Sequence, residues 1–278
     1  MADISLNAGI RANLLTLQSV AESRNQTQVR LGTGKRVNSP IDNPDSFFTS
    51  ASLSTRASEL TSRLDGIAKG VKTVNAASTG LAAIRDLLEQ ARSIALEARA
   101  LPTPAADTER MAASGMFNRL LTQSDSVAAD ASYEGVRLLK NDSLVVEFGG
   151  TSGSSTATLP GFDATSGGPV VVASAQTPSD WTGDNTAIDH AIADIKSSVR
   201  NLEITTLGLE SILGILTTRR TVTEDMVGVL NTGAADLVNA DIQEETARQL
   251  ANNSRQDFAT NAMILAAQST KQVLQLMG

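Results

Sequence analysis

The chain has 278 residues and a formal net charge of −7; 41% of it is hydrophobic but only 3% aromatic, and it carries one histidine and no cysteine. The missing cysteines exclude disulfides, thiolate zinc sites and cysteine nucleophiles, and the acidic balance argues against a nucleic-acid surface. With so few aromatic residues any core must be built from Ala, Leu, Ile and Val, which suits helix-on-helix packing in one large or two small domains.

The opening Met1-Ala2-Asp3-Ile4-Ser5 has neither a basic n-region nor an apolar h-region. Apolar runs such as Ala262–Ala267 fall far short of the ~20 residues that span a bilayer. The expectation is a chain with no membrane segment, either cytosolic or leaving the cell without a cleavable signal peptide.

Near the N-terminus Ile10, Leu14, Leu17, Ala21, Arg24, Gln28 and Leu31 keep 4/3 spacing, the coiled-coil pattern. Polar residues interrupt this seam, so it predicts a helix that is marginal alone. Gly32-Thr33-Gly34-Lys35 superficially suggests a phosphate loop, but that pattern needs glycine where Val29 stands and Ser or Thr where Arg36 stands. A glycine-capped helix end fits better.

From Leu53 the seam Ala57, Leu60, Leu64, Ile67, Val71, Val74, Ser78, Leu81, Arg85, Leu88 predicts a long helix over 47–98, resumed as Ile84, Leu87, Ala91, Ile94 and Ala98. At 1.5 Å per residue it would be about 75 Å long. Leu101-Pro102-Thr103-Pro104 ends it, and a shorter amphipathic stretch from Met111 to Ala131 follows. Residues 149–185 contain 22 Gly, Ser, Thr or Pro among 37. Leu144–Phe148 and Val170–Val172 have strand character around the turn signal Gly167-Gly168-Pro169. They predict a small hairpin with loops capping one end of the helices, and 151–168 is expected to carry little packing and to tolerate insertion.

A second long helix over 184–228 follows from Ile188, Ile192, Ile195, Val199, Leu202, Thr206, Leu209, Leu213 and Leu216. A weaker seam, Phe258, Ala262, Leu265, Ser269, Gln272 and Leu276, closes the chain. Gly66, Gly70, Gly80, Gly208 and Gly214 each cost ~1 kcal/mol inside a helix, which points to close helix approach or interchain packing. The fold class is mainly α: an elongated antiparallel helical bundle or coiled coil of long helices from both ends, with a small β-hairpin insert. Its domains are 1–40 with 235–278, and 41–234 with an insert at about 141–185.

No catalytic, metal or cofactor site emerges. His190 has no second imidazole, Gly-x-Ser-x-Gly is absent, and Asp236, Asp241, Glu244 and Glu245 lack calcium-loop spacing. Asp241 is better placed as a helix cap.

Four segments resemble the bacterial flagellin family. Leu31-Gly32-Thr33-Gly34-Lys35-Arg36-Val37-Asn38-Ser39, followed by Asp42-Asn43, is similar to the family's L-S-S-G-x-R-I-N-S turn. Leu88–Ala98 resembles L-Q-R-V-R-E-L-S-V-Q-A, Leu237–Glu245 resembles I-E-D-A-D-Y-A-x-E, and Ala262–Met277 resembles the family's closing element. Asp42-Asn43-Pro44 also resembles the D-x-P turn of the paralogous hook–filament junction protein, the alternative reading.

The resemblance implies a subunit that polymerises into the flagellar filament, secreted unfolded through an export apparatus. Its partners would be copies of itself, filament cap and junction proteins and an export chaperone. The paired ends would form the inner core, with Ile10, Leu14, Leu17, Leu31, Leu250, Phe258, Leu265 and Leu274 as its polymerisation residues. With so little chain in the middle, the filament would have little beyond two helical shells. It also implies that Gln90, Arg92, Ser93 and Ile94 occupy the segment read by the animal Toll-like receptor for flagellin, with Gln90 and Ser93 replacing the family's arginine and glutamate.

Overall fold

The computed structural model describes residues 8–149 and 155–277, apart from the side chains of 8, 9, 178, 270 and 273–277. Five helices carry the fold: α1 (Ala8–Thr33), α2 (Pro44–Ala100), α3 (Asp107–Asp130), α4 (Thr186–Val238) and α5 (Ile242–Met277). Strands β1 (Leu144–Glu147) and β2 (Thr156–Leu159) form an antiparallel hairpin in which Leu144 pairs with Leu159. The chain divides into two compact units, Met1–Thr55 with Val229–Gly278, and Arg56–Gly228.

Local chemistry explains the helix ends. Pro44 opens α2, where its missing N–H costs nothing, and Asn43 Oδ1 accepts the Ser46 N–H at 3.1 Å. Gly34, at φ +69°, follows α1 in the left-handed conformation and donates to the Arg30 carbonyl at 2.8 Å, the glycine cap expected there. The Asp241 carboxylate accepts the N–H groups of Gln243 and Glu244 at 2.9 and 3.2 Å, capping α5 as expected.

In the Arg56–Gly228 unit α3 and α4 both run antiparallel to α2. Every residue of the seam predicted for α4 is buried or half-buried, from Ile188 to Leu216. On α2 the observed core positions are Ala57, Leu60, Ile67, Val74, Ala77, Leu81, Ile84, Leu88, Ala91, Ala95 and Ala98. Ala77 and Ile84 therefore take the places expected for Ser78 and Arg85. Two three-residue steps in succession, Val71–Val74–Ala77, shift the seam as a stammer does in a coiled coil, and the shift exchanges a polar and a charged residue for two apolar ones.

The insert also departs from expectation. Val170–Val172 is not the second strand; 156–159 is, while Val170 and Val171 are buried as loop residues. Nor does the insert cap one end. Val146 meets α2 at Gly70, Leu139 meets it at Gly80, and Trp181 lies against Phe117 of α3 with ring centroids 5.4 Å apart. Residues 155–168 carry packing after all, because Leu159 and Ala164 are buried; a loop of small residues can still plug a core with its few apolar side chains. Residues 151–154 lie outside the described residues.

Arg110 of α3 is fully buried, and every acceptor found for it is neutral. Its Nε donates to the Trp181 carbonyl at 2.6 Å, and its terminal nitrogens donate to the Leu101 carbonyl at 3.2 Å, to Asn185 Oδ1 at 2.9 Å and to the Asp184 carbonyl. One side chain thus ties the α2–α3 turn to the start of α4.

The glycines divide by the space around them. A Cβ on Gly80 would stand 2.6 Å from Ala131 Cβ and 2.8 Å from Leu139 Cδ1, and one on Gly70 2.9 Å from Val146 Cγ2, whereas Gly66, Gly208 and Gly214 face open space. Close approach therefore accounts for only two of the five. Gly80→Val is expected to destabilise this unit by about 1–3 kcal/mol and Gly66→Ala to stabilise it by up to about 1 kcal/mol. Urea unfolding followed through Trp181, the only tryptophan, measures both.

Candidate functional site

In the unit that contains both chain ends, α1 and α5 lie antiparallel. Arg30 pairs with Glu245 at 3.0 Å, Asn252 Nδ2 donates to Ser23 Oγ at 2.9 Å, and Arg24 donates to Gln256. The residues most buried in this pair are Val20 and Ala259 together with the polar Thr27, Glu245 and Asn252. The faces that meet follow 10-13-17-20-24-27-31 on α1 and 245-249-252-256-259-263-266 on α5.

These are not the faces that the terminal seams predict. Ile10, Leu17 and Leu31 do reach the pair and are half-buried, but Ala21 and Gln28 are exposed, and Leu14 is 46% exposed. On α5, Leu250, Phe258 and Leu265 are 68%, 73% and 65% exposed. Leu274 lies among the side chains outside the described residues. The apolar residues singled out by spacing thus stand mostly on the open side, joined there by Leu15, Val29 and Ile264.

The two breaks in this unit are zipped by backbone bonds. Arg36 N–H donates to the Val238 carbonyl at 2.7 Å and Ala240 N–H to the Gly34 carbonyl at 3.0 Å, closing a bridge between Lys35 and Asn239. Beside them Ser50 Oγ donates to the Ala234 carbonyl at 2.9 Å. The turn between α1 and α2 is built on Asp42, whose carboxylate accepts the N–H groups of Asn38 and Ser39, both at 2.9 Å. These bonds, that from Asn38 foremost, hold the Asp42 carboxyl below its ordinary pKa.

Of the four receptor-aligned positions in the other unit, Gln90, Ser93 and Ile94 line one open groove with Met116, Arg119 and Leu120 of α3. Arg92 is not in that lining and pairs with Glu89 at 3.3 Å. Among the described residues no three His, Asp or Glu side chains converge as metal ligands, and no helix is long and apolar enough to cross a membrane.

The two chain ends thus pair through a mixed face, with Ile10, Leu17, Val20 and Met263 beside Arg24, Thr27 and Asn252, while Leu14, Leu250, Phe258 and Leu265 stay exposed. The family model for the bacterial flagellin N-terminal helical region matches residues 4–143. Flagellin FljM of Caulobacter vibrioides is 26% identical over 282 residues, covering 98% of this chain and 97% of that protein. The flagellin of Brucella melitensis is 23% identical, with 99% of each chain covered. The crystal structure of Bacillus cereus flagellin matches with a TM-score of 0.47 at 12% identity, over 56% of this chain and 86% of that one. The chain belongs to the bacterial flagellin family: it is a structural subunit of the extracellular flagellar filament, and not an enzyme. Nothing found favours the junction-protein alternative.

A carboxyl with a depressed folded pKa contributes stability that is full at neutral pH and is lost as the pH falls through the folded value. Asp42→Asn is therefore expected to melt below the parent chain at pH 7, and the two melting curves are expected to converge at an acid pH below the folded value of this carboxyl. Circular dichroism melts at both pH values measure this.

Proposed function

We propose that the outward apolar faces of α1 and α5 are the surfaces through which copies of this chain meet in the filament. Leu14, Leu250, Phe258 and Leu265 lead the set, Ile10, Leu17 and Leu31 back them from the half-buried side, and Leu274 joins them on the family resemblance alone. The single observation that supports this is the exposure of Leu250, Phe258 and Leu265 on a helix whose opposite face is already occupied by polar partners. In this reading the unit holding both chain ends is the inner core of the filament, and Arg56–Gly228 is the shell around it. The chain reaches the cell exterior unfolded, through the flagellar export apparatus and with an export chaperone. Cap and junction proteins bound the polymer at its two ends.

Burial of each leading side chain contributes ~1.5–3 kcal/mol, set against the ordering of the terminal helices. That balance makes growth cooperative and dependent on concentration, and contacts that do not close on themselves give a fibre. Phe258→Ser or Leu265→Asn is expected to raise the critical concentration for assembly roughly ten- to hundredfold, read by pelleting and electron microscopy. Trp181 emission should be unchanged. Filaments forming at the parent concentration would place the contact elsewhere.

The groove holding Gln90, Ser93 and Ile94 supports a second, narrower reading. Two positions that carry charge in the family segment are neutral here, so receptor activation by dissociated subunits is expected to be weak. Loss of one interface arginine typically costs 2 kcal/mol or more, roughly thirtyfold in affinity. A reporter assay comparing the chain with Gln90→Arg plus Ser93→Glu checks this, and equal signalling by the two would remove the argument.

A further inference from the structure

The α1–α5 pair buries polar side chains among its apolar ones while leaving large apolar side chains open. Its buried positions include Thr27, Glu245 and Asn252, while Leu14, Leu250, Phe258 and Leu265 look outward. Burial of large apolar side chains outweighs net hydrogen bonding between exposed partners, so hydrophobicity alone would rotate both helices and bury their leucines against each other. That rotation would close the faces needed by other copies.

Two cross-links oppose it. Arg30 with Glu245, at 3.0 Å, and Ser23 with Asn252, at 2.9 Å, stand one heptad apart on both helices. They are chemically unlike, one a charge pair and the other neutral. Sliding one helix by a heptad sets Glu245 against Ser23 in one direction and Asn252 against Arg30 in the other; in both cases the carboxylate of Glu245, only 4% exposed, loses its guanidinium. A buried carboxylate without its cation is strongly disfavoured. Rotation of either helix toward its apolar face separates both cross-links at once. A buried polar pair that fixes register at some cost in stability is a known device of coiled coils.

We propose that Arg30–Glu245 and Ser23–Asn252 are the specificity determinants of assembly: they select which faces of α1 and α5 meet, and in what register, so that the apolar faces stay open to other copies. This rests on the outward-face reading above, and the two can fail separately.

The test uses the full chain. Arg30→Glu and Glu245→Arg are made singly and together, and the critical concentration is measured by pelleting, with Trp181 emission reporting that 56–228 folds. Each single change is expected to raise the critical concentration tenfold or more, and the exchanged pair to return it to within about threefold of the parent. Transposing both links, with Arg30→Ser, Ser23→Arg, Glu245→Asn and Asn252→Glu in one chain, should also restore assembly, because the two rungs remain distinct. General loss of stability gains nothing from a second foreign residue, so recovery in the exchange reports the pairing itself. Singles that assemble like the parent, or an exchange no better than the worse single, overturn the proposal. If the singles assemble normally while Leu265→Asn abolishes filaments, only the selection role falls; if Leu265→Asn and Phe258→Ser both assemble normally, the outward-face reading falls instead.

Discussion

One constraint governs the unit that holds both chain ends: α1 and α5 meet through faces that mix apolar with polar residues, so Leu14, Leu250, Phe258 and Leu265 stay outside the pair. Asn252, Ser23, Glu245 and Arg30 occupy the space that apolar knobs would fill in an ordinary helix pair. The pair is therefore held in part by contacts that are individually weak in water, and large apolar side chains such as Phe258 and Leu265 remain exposed beside it. An assembling subunit requires that combination, since a helix pair satisfied by itself has no reason to polymerise.

The Arg56–Gly228 unit solves the opposite problem. Its core is closed with Ala, Leu, Ile and Val from α2 and α4, and the only tryptophan and a phenylalanine fill the wider space beside α3. Small residues at Gly70 and Gly80 let the insert lie directly on α2. The insert is consequently part of the packing, despite a composition that reads as loop.

Legibility in the sequence followed how local the determining physics is. Caps at Gly34 and Asp241 depend on a few neighbouring residues, and both could be read directly. The α4 seam was legible position by position because its apolar residues are large and regularly spaced. On α2 the pattern offered two registers after Val74, and choosing between them depends on which partners fill the groove, so Ala77 was missed. At the ends, spacing identified the apolar stripes correctly but could not say that the chain's own partner takes the other stripe. Only the complementarity of residues some 200 positions apart, Arg30 with Glu245 and Ser23 with Asn252, carries that information. Arg110 escaped for the same reason: its acceptors are mostly main-chain carbonyls, which have no signature in the side-chain sequence.

The neutrality of the Arg110 cradle has a consequence for behaviour in acid. Carbonyl and amide oxygens do not take up protons in the range that discharges carboxylates, so this clasp is indifferent to acidification, whereas the Asp42 turn between α1 and α2 depends on a carboxylate charge that acid removes. Acid therefore acts on the molecule unevenly. It loosens the Asp42 turn and spares the tie between Leu101, Trp181, Asp184 and Asn185.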